Sequence, residues 1–68
     1  MVILYTTNCP RCHILEAKLN EKHISFSKFE GEEAIGYIQG RGFLSAPLLI
    51  VDGEAMDFGK AIKWVNER

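Results

Sequence analysis

The stretch Cys9-Pro10-Arg11-Cys12 restricts what this chain can fold into more than any other. It follows an apolar run, Val2-Ile3-Leu4-Tyr5, and opens a segment with helical spacing. Two cysteines three apart at a strand-to-helix junction face each other across one turn. They can close a disulfide or share a metal ion without large backbone movement. Pro10 suits the first helical position, where its missing N–H has no partner to lose. The helix then begins at Cys9, and the unpaired N–H groups there favour negative charge. A thiolate is such a charge, so a nucleophilic thiol of lowered pKa is expected at Cys9, with the Arg11 cation acting in the same sense. Two cysteines in a short chain can also be ordinary small core residues. The proline inside the pair and the strand before it match a redox context instead.

With 68 residues the chain is expected to form one domain, 1–68, too small for a large cofactor and a substrate-binding subdomain together. Its 47% hydrophobic and 25% charged residues are those of a globular chain rather than a disordered one. The formal net charge is −1 and the basic residues are scattered, so neither nucleic acid nor a membrane surface is expected as a partner. No basic segment leads into a long apolar core, and no stretch approaches the roughly 20 apolar residues of a membrane span. The expected location is the cytoplasm, where a purely structural disulfide is improbable. A Cys9–Cys12 bridge closes so small a loop that it would restrain the unfolded chain little, which points to chemistry.

Residues 2–6 read as a buried strand, apolar on both faces. Residues 10 to about 21 read as a helix whose inward stripe is Cys12, Ile14, Leu15 and Leu19. Asn20 or His23 is expected to end it, since both tolerate left-handed backbone better than most residues. Residues 24–29 alternate as a strand and stop at Gly31. A short helix follows over 32 to about 40, with Ile35 and Ile38 inward, and then a loop carrying Phe43 and Leu44. Pro47 to Val51 is a second central strand, with proline tolerated at its first position. Asp52-Gly53 signals a hairpin into a strand at 54–56. The last helix, about 58–67, carries Phe58, Ala61, Ile62 and Val65 on one face, with Asp57 as its N-cap. The order is β-α-β-α-β-β-α, with a right-handed parallel crossover first and helices on both faces of a four-stranded mixed sheet.

Two stretches carry a family resemblance: Tyr5-Thr6-Thr7-Asn8-Cys9-Pro10-Arg11-Cys12-His13 and Gly42-Phe43-Leu44-Ser45-Ala46-Pro47-Leu48. The first resembles a glutaredoxin active site and the second the loop that ends in the cis-proline of the thioredoxin-fold family. Together with the element order, the resemblance to glutaredoxins and glutaredoxin-like redoxins extends over nearly the whole chain. It implies an α/β thioredoxin fold and a dithiol–disulfide oxidoreductase, an electron carrier that reduces protein disulfides. Cys9 would be the nucleophile and Cys12 the resolving thiol. Pro10, Arg11, Ala46 and Pro47 would meet the substrate, with a cis Ala46–Pro47 bond lying against Cys9. No metal or organic cofactor is implied.

Three features separate this chain from many glutaredoxins. Ser45-Ala46 stands where they have Thr-Val, Met56-Asp57-Phe58-Gly59-Lys60 where they have a Gly-Gly pair, and no cation immediately precedes Cys9. Arg11 and Arg41 are the cations that could serve glutathione instead. The expected electron source is accordingly a thioredoxin-reductase-type flavoprotein, and ribonucleotide reductase is a candidate acceptor. A glutathione-dependent glutaredoxin is the alternative. A monomer is expected.

His13 could share a helix face with Cys9 and assist it, but a helix N-terminus disfavours an added cation, so a solvated residue is expected there. Three rivals lie outside this class. A Cys-x-x-Cys metal carrier of ferredoxin-like fold would need β-α-β-β-α-β order. Cys9-x-x-Cys12-His13 matches the c-type haem attachment pattern. A zinc site would draw its four ligands from Cys9, Cys12, His13 and His23.

Overall fold

The computed structural model describes residues 1–7 and 9–68. Asn8, part of the first resembling stretch, lies outside the described residues. β1 (Val2–Thr6) is central because both of its apolar faces are covered: Leu4 enters one core and Tyr5 the other. Its neighbours are β2 (Ser27–Glu30) and β3 (Leu48–Val51), and β4 (Glu54–Met56) lies outside β3, giving the order β2-β1-β3-β4. β1 pairs parallel with β2 and antiparallel with β3, and β3 with β4 is antiparallel. A parallel neighbour needs a crossover, and α1 (Pro10–Glu21) supplies it. With α2 (Gly31–Gly40) and α3 (Phe58–Asn66) the order is β-α-β-α-β-β-α, which is not the order of a ferredoxin-like metal carrier.

The helices divide the core in two. On one face α1 and α3 pack Leu15, Leu19, Ala61 and Val65 onto Leu4, Leu49 and Met56. On the other, α2 sets Ala34 and Ile38 against Tyr5, Leu48 and Ile50. There the Tyr5 ring stacks on Tyr37 at 4.1 Å and on Phe29 at 5.3 Å between centroids.

Three turns aim the chain. α1 closes with His23 in left-handed backbone (φ 56°), while Ile24 N–H donates to Leu19 C=O and His23 N–H to Asn20 C=O. That double bond is the Schellman pattern, here with histidine where glycine is usual. α2 closes the same way: Gly42 has φ 83°, Phe43 N–H donates to Ile38 C=O and Gly42 N–H to Gln39 C=O. Gly42 thereby ends α2 and starts the chain into the segment that reaches Pro47. At the hairpin, Asp52 (φ 49°) and Gly53 (φ 88°) both take the positive φ that a two-residue type I′ turn requires.

Three expectations are corrected. β2 starts at Ser27, not at residue 24, because Ser27 is already opposite Ile3 and the Ile24 N–H is used in closing α1. Ile24 and Phe26 still pack against the aliphatic core, so their alternation marked burial rather than pairing. Ile14 is 48% exposed and Ile35 is 42% exposed. Successive helical residues turn by about 100°, so the faces built on Leu15 and Leu19, and on Ala34 and Ile38, rotate both isoleucines outward.

Candidate active site

Cys9 is the N-cap of α1, with extended backbone (φ −78°, ψ 163°), and Pro10 occupies the first helical turn. The cap is made by sulfur: Cys12 N–H donates to Cys9 Sγ at 3.2 Å, and His13 N–H donates to Cys9 C=O at 3.1 Å. Both thiols are free. Cys9 is half-buried, whereas Cys12 is 1% exposed, one turn further on and facing the sheet beside Leu15.

The segment between α2 and β3 completes the site. The Ala46–Pro47 bond is cis, and Pro47 is buried. This places Ala46 C=O 3.8 Å from Cys9 Sγ, where the thiol donates to it. Residues 37 apart in sequence thus meet at the Cys9 thiol, and the structure brings together Cys9, Cys12, Ala46 and Pro47. Pro10 is exposed at the helix start. Arg11 turns to the other side, its guanidinium 5.7 Å from the Phe58 ring centroid. Arg41 stands at the C-cap of α2 and donates to Tyr37 Oη and to Gly53 C=O of the hairpin, both at 3.4 Å. The His13 ring is solvated on α1, as expected, and His23 lies at the opposite end of that helix from the thiols. Among the described residues, no three His, Cys, Asp or Glu side chains gather closely enough to hold a metal ion.

Thr6 is the site residue that motif reading passed over. It ends β1 and is 1% exposed, a buried polar side chain in a wall of aliphatic ones. Burial pushes the Cys12 thiol up. Hydrogen bonds from the Cys9 and Thr6 side chains and from the backbone at Thr7 and Cys9 outweigh burial and hold Cys12 below its ordinary value. The signal for Thr6 was present in the period of two along β1: it shares a face with Leu4, the face on which α1 lies.

Two grooves lie on either side of the segment before Pro47, and Cys9 lines one of them. Arg11, Asp57, Phe58 and Pro47 line one of about 590 Å³, on the α3 side. Thr7, Cys9, Ile35, Ile38 and Gln39 line the other, of about 300 Å³, on the α2 side. Leu44, Ser45 and Ala46 border both and form the partition between them. The α3-side groove is charged, carrying Arg11 and Asp57, and no ionised side chain lines the α2-side groove among the described residues.

No protein-family model matches the sequence, and no curated protein does. Solved structures do. The thioredoxin-like protein BC3987 superposes with a TM-score of 0.81 at 22% identity, over 98% of this chain and 97% of that one. A mutant of the same thioredoxin-like protein superposes with a TM-score of 0.80 at 21% identity, over 98% and 96%. With its four-stranded mixed sheet, three helices and paired cysteines at the start of α1, the chain has a thioredoxin-like fold.

Proposed function

We propose that this protein is a small dithiol–disulfide oxidoreductase that carries electrons to protein disulfides. One observation supports this most: a half-buried Cys9 thiol caps a helix beside the Ala46 carbonyl and cis-Pro47, with a fully buried second thiol one turn behind it. The N-cap position favours negative charge on the Cys9 sulfur. Its thiolate attacks one sulfur of a substrate disulfide, forming a mixed disulfide and releasing the other sulfur as a thiolate. Cys12 then gives up its proton and attacks the Cys9 sulfur. The Cys9–Cys12 bond forms, the second substrate thiol leaves, and two electrons have passed from the protein to its substrate. Cys12 suits this order of events, since burial keeps it from substrate while the Thr6 side chain and the backbone at Thr7 and Cys9, which do not depend on a Cys9 proton, favour its thiolate.

The reductant we propose is a thioredoxin-reductase-type flavoprotein, with ribonucleotide reductase a candidate acceptor, acting with a monomeric protein in the cytoplasm. The alternative is a glutathione-dependent glutaredoxin. Glutathione is anionic, and a site for it needs cations beside the nucleophile. The groove that contains Cys9 offers none among its described lining residues, Arg11 lies across the partition, and Arg41 is engaged at the hairpin. Among the described residues no helix is long and apolar enough to cross a membrane.

The test is NADPH consumption with a protein disulfide acceptor, comparing the flavoprotein with glutathione plus its own reductase. Faster turnover with the flavoprotein supports the proposal, and faster turnover with glutathione makes the protein an ordinary glutaredoxin. Cys9→Ser is expected to abolish turnover and Cys12→Ser to trap a mixed disulfide with the substrate. Trapping by Cys9→Ser instead would reverse the two roles.

A further inference from the structure

β4 is one edge of the sheet, and its register leaves one residue turned outward. Asp52 N–H donates to Met1 C=O, and Ile50 is opposite Ile3. In an antiparallel ladder the backbone groups of successive residues point to alternate sides. Ile50 and Asp52 therefore bond toward β1, and Leu49 and Val51 toward β4. Leu49 is opposite Met56 and Val51 opposite Glu54, so Ala55, opposite Ile50, points its N–H and C=O away from β3. The carbonyl two residues back, that of Gly53, is taken by Arg41. Ala55 is thus the open backbone pair of this edge.

Beside this edge lies a groove of about 590 Å³, lined by the hairpin, β4 and the outer side of α3. It shares no lining residue with either groove at the segment before Pro47. Its volume falls within the roughly 300–1,000 Å³ of ligand sites. Half-buried Trp64 is its largest lining side chain, with the Arg68 guanidinium 4.3 Å from the ring centroid. Lys60 is engaged with Glu54, and Asp52 with the Met1 ammonium. Lys63, next to Trp64 and exposed, has no ion pair among the described residues. Glu67, the one lining acid likewise without a pair, is a turn further along α3. At the other edge of the sheet, Lys28 of β2 already bridges Glu16 and Glu30.

We propose that the open edge of β4 is a docking site for an extended segment of a partner protein, added as a fifth strand that sets an apolar and an acidic side chain, two residues apart, on Trp64 and Lys63. The residue paired with Ala55 shares the α2 face with it, so its two neighbours project over the groove on the α3 face, where Glu54 and Met56 lie. Main-chain bonds hold such a strand, and the alternate side chains select it. An apolar one covers the Trp64 ring, and a carboxylate meets the one lysine of the groove that lacks an acid. The β4 strand of a second copy has Glu54-Ala55-Met56 at that spacing but cannot serve, because its Met56 is 5% exposed and its Glu54 is held by Lys60. This docking goes beyond the redox reading and requires no step at the thiols.

Trp64 is the single tryptophan of the chain, so its emission reports on the groove directly. The probe is a short blocked threonine peptide with Leu and Glu two residues apart, made in both orders and without aromatic residues. Titrated into the full chain, at least one order is expected to move Trp64 emission to shorter wavelength and to saturate. Its counterpart with Lys in place of Glu should bind about fivefold more weakly, a difference of about 1 kcal/mol. Lys63→Glu should reverse that preference. A second reading leaves the protein untouched: the peptide amides are N-methylated one at a time. Methylation of the residue that faces Ala55 should abolish binding, and methylation of its two neighbours should not, since their N–H groups point away from β4. No change in Trp64 emission with either order overturns the site. Binding without a charge preference, or with no alternation along the methylated series, overturns the added strand. Trp64 emission that changes with the concentration of the protein alone overturns the partner segment in favour of a second copy.

Discussion

On one face of the sheet two helices and the strands bring seven buried side chains into one layer; on the other a single short helix and the strands bring together five, and stacked rings take the place of a second helix. The α1–α3 face holds Cys12 and Thr6, each 1% exposed. The α2 face ends in the segment that carries Leu44 and Ala46 to Cys9. The comparison teaches a division of labour: the thicker face fixes the buried Cys12 thiol, and the thinner one leads into the segment that brings Ala46 to the half-buried Cys9 thiol. Regions with fewer buried apolar contacts open at lower free energy, so the two faces should also differ in local stability.

Deleting core volume on each face gives the largest expected effect. Leu19→Ala leaves a hole between α1 and the sheet and should cost about 4 kcal/mol, whereas Ile38→Ala, buried in the smaller cluster under α2, should cost about 2 kcal/mol. A domain of this size has only a few kcal/mol in all, at roughly 0.05–0.15 kcal/mol per residue. Urea denaturation of the two variants checks the ranking, and equal losses would break the comparison.

The stacked rings are tested next. Tyr37→Leu keeps an apolar side chain but removes the 4.1 Å stack on Tyr5 and the partner of Arg41. The expected loss is about 1.5 kcal/mol, the upper end for an aromatic pair. Amide hydrogen exchange should speed up in α2 while α1 and α3 keep their protection. Loss of protection in α1 would show that the two faces unfold as one unit.

A smaller effect is expected at the start of α3, where Lys60 N–H donates to Asp57 Oδ1 at 2.9 Å. Asp57→Ala should cost about 1 kcal/mol in thermal or urea melts, the usual worth of an N-cap. No measurable change would mean that packing against the α1–α3 core alone holds this terminus.

The smallest effect concerns Thr6 and is read from pH. Cys12 is held below its ordinary value in the folded protein, so between that lowered value and the ordinary thiol value of about 8.5 the unfolded chain binds more protons. Stability of the reduced protein should therefore rise with pH across this window. The gain is complete above the ordinary value and is lost as pH falls through the folded one. Thr6→Val keeps the shape, removes one hydrogen bond to Cys12, and should raise the folded value and flatten the rise. Ultraviolet absorbance of the thiolate checks the first consequence, and melts of reduced against oxidised protein check the second, since oxidation should remove the slope. A Thr6→Val titration identical to wild type would show that the threonine only fills space.

Much of the architecture was legible because it rests on local rules. Pro10 after Cys9 marked the start of α1, Asp52-Gly53 marked the hairpin, and the apolar spacing from Phe58 to Val65 marked α3. Ile14 and Ile35 were misread because each adjoins a truly buried residue, and one helical step decides which faces the core. Ser27 could not be recognised as the start of β2, since pairing depends on where β1 begins rather than on residues 24–26 themselves.

By itself, then, the sequence determined the element order, the helix start under Cys9 and the turns, since each follows from backbone preferences acting over a few residues. Tertiary structure decided which partners those elements bring together. Ala46 reaches Cys9 from 37 residues away, Thr6 reaches Cys12 only because β1 and α1 share a face, and Arg11 goes to Phe58 rather than to the thiols because α3 lies there. These outcomes depend on how separate segments pack, and no short stretch of the chain contains that information.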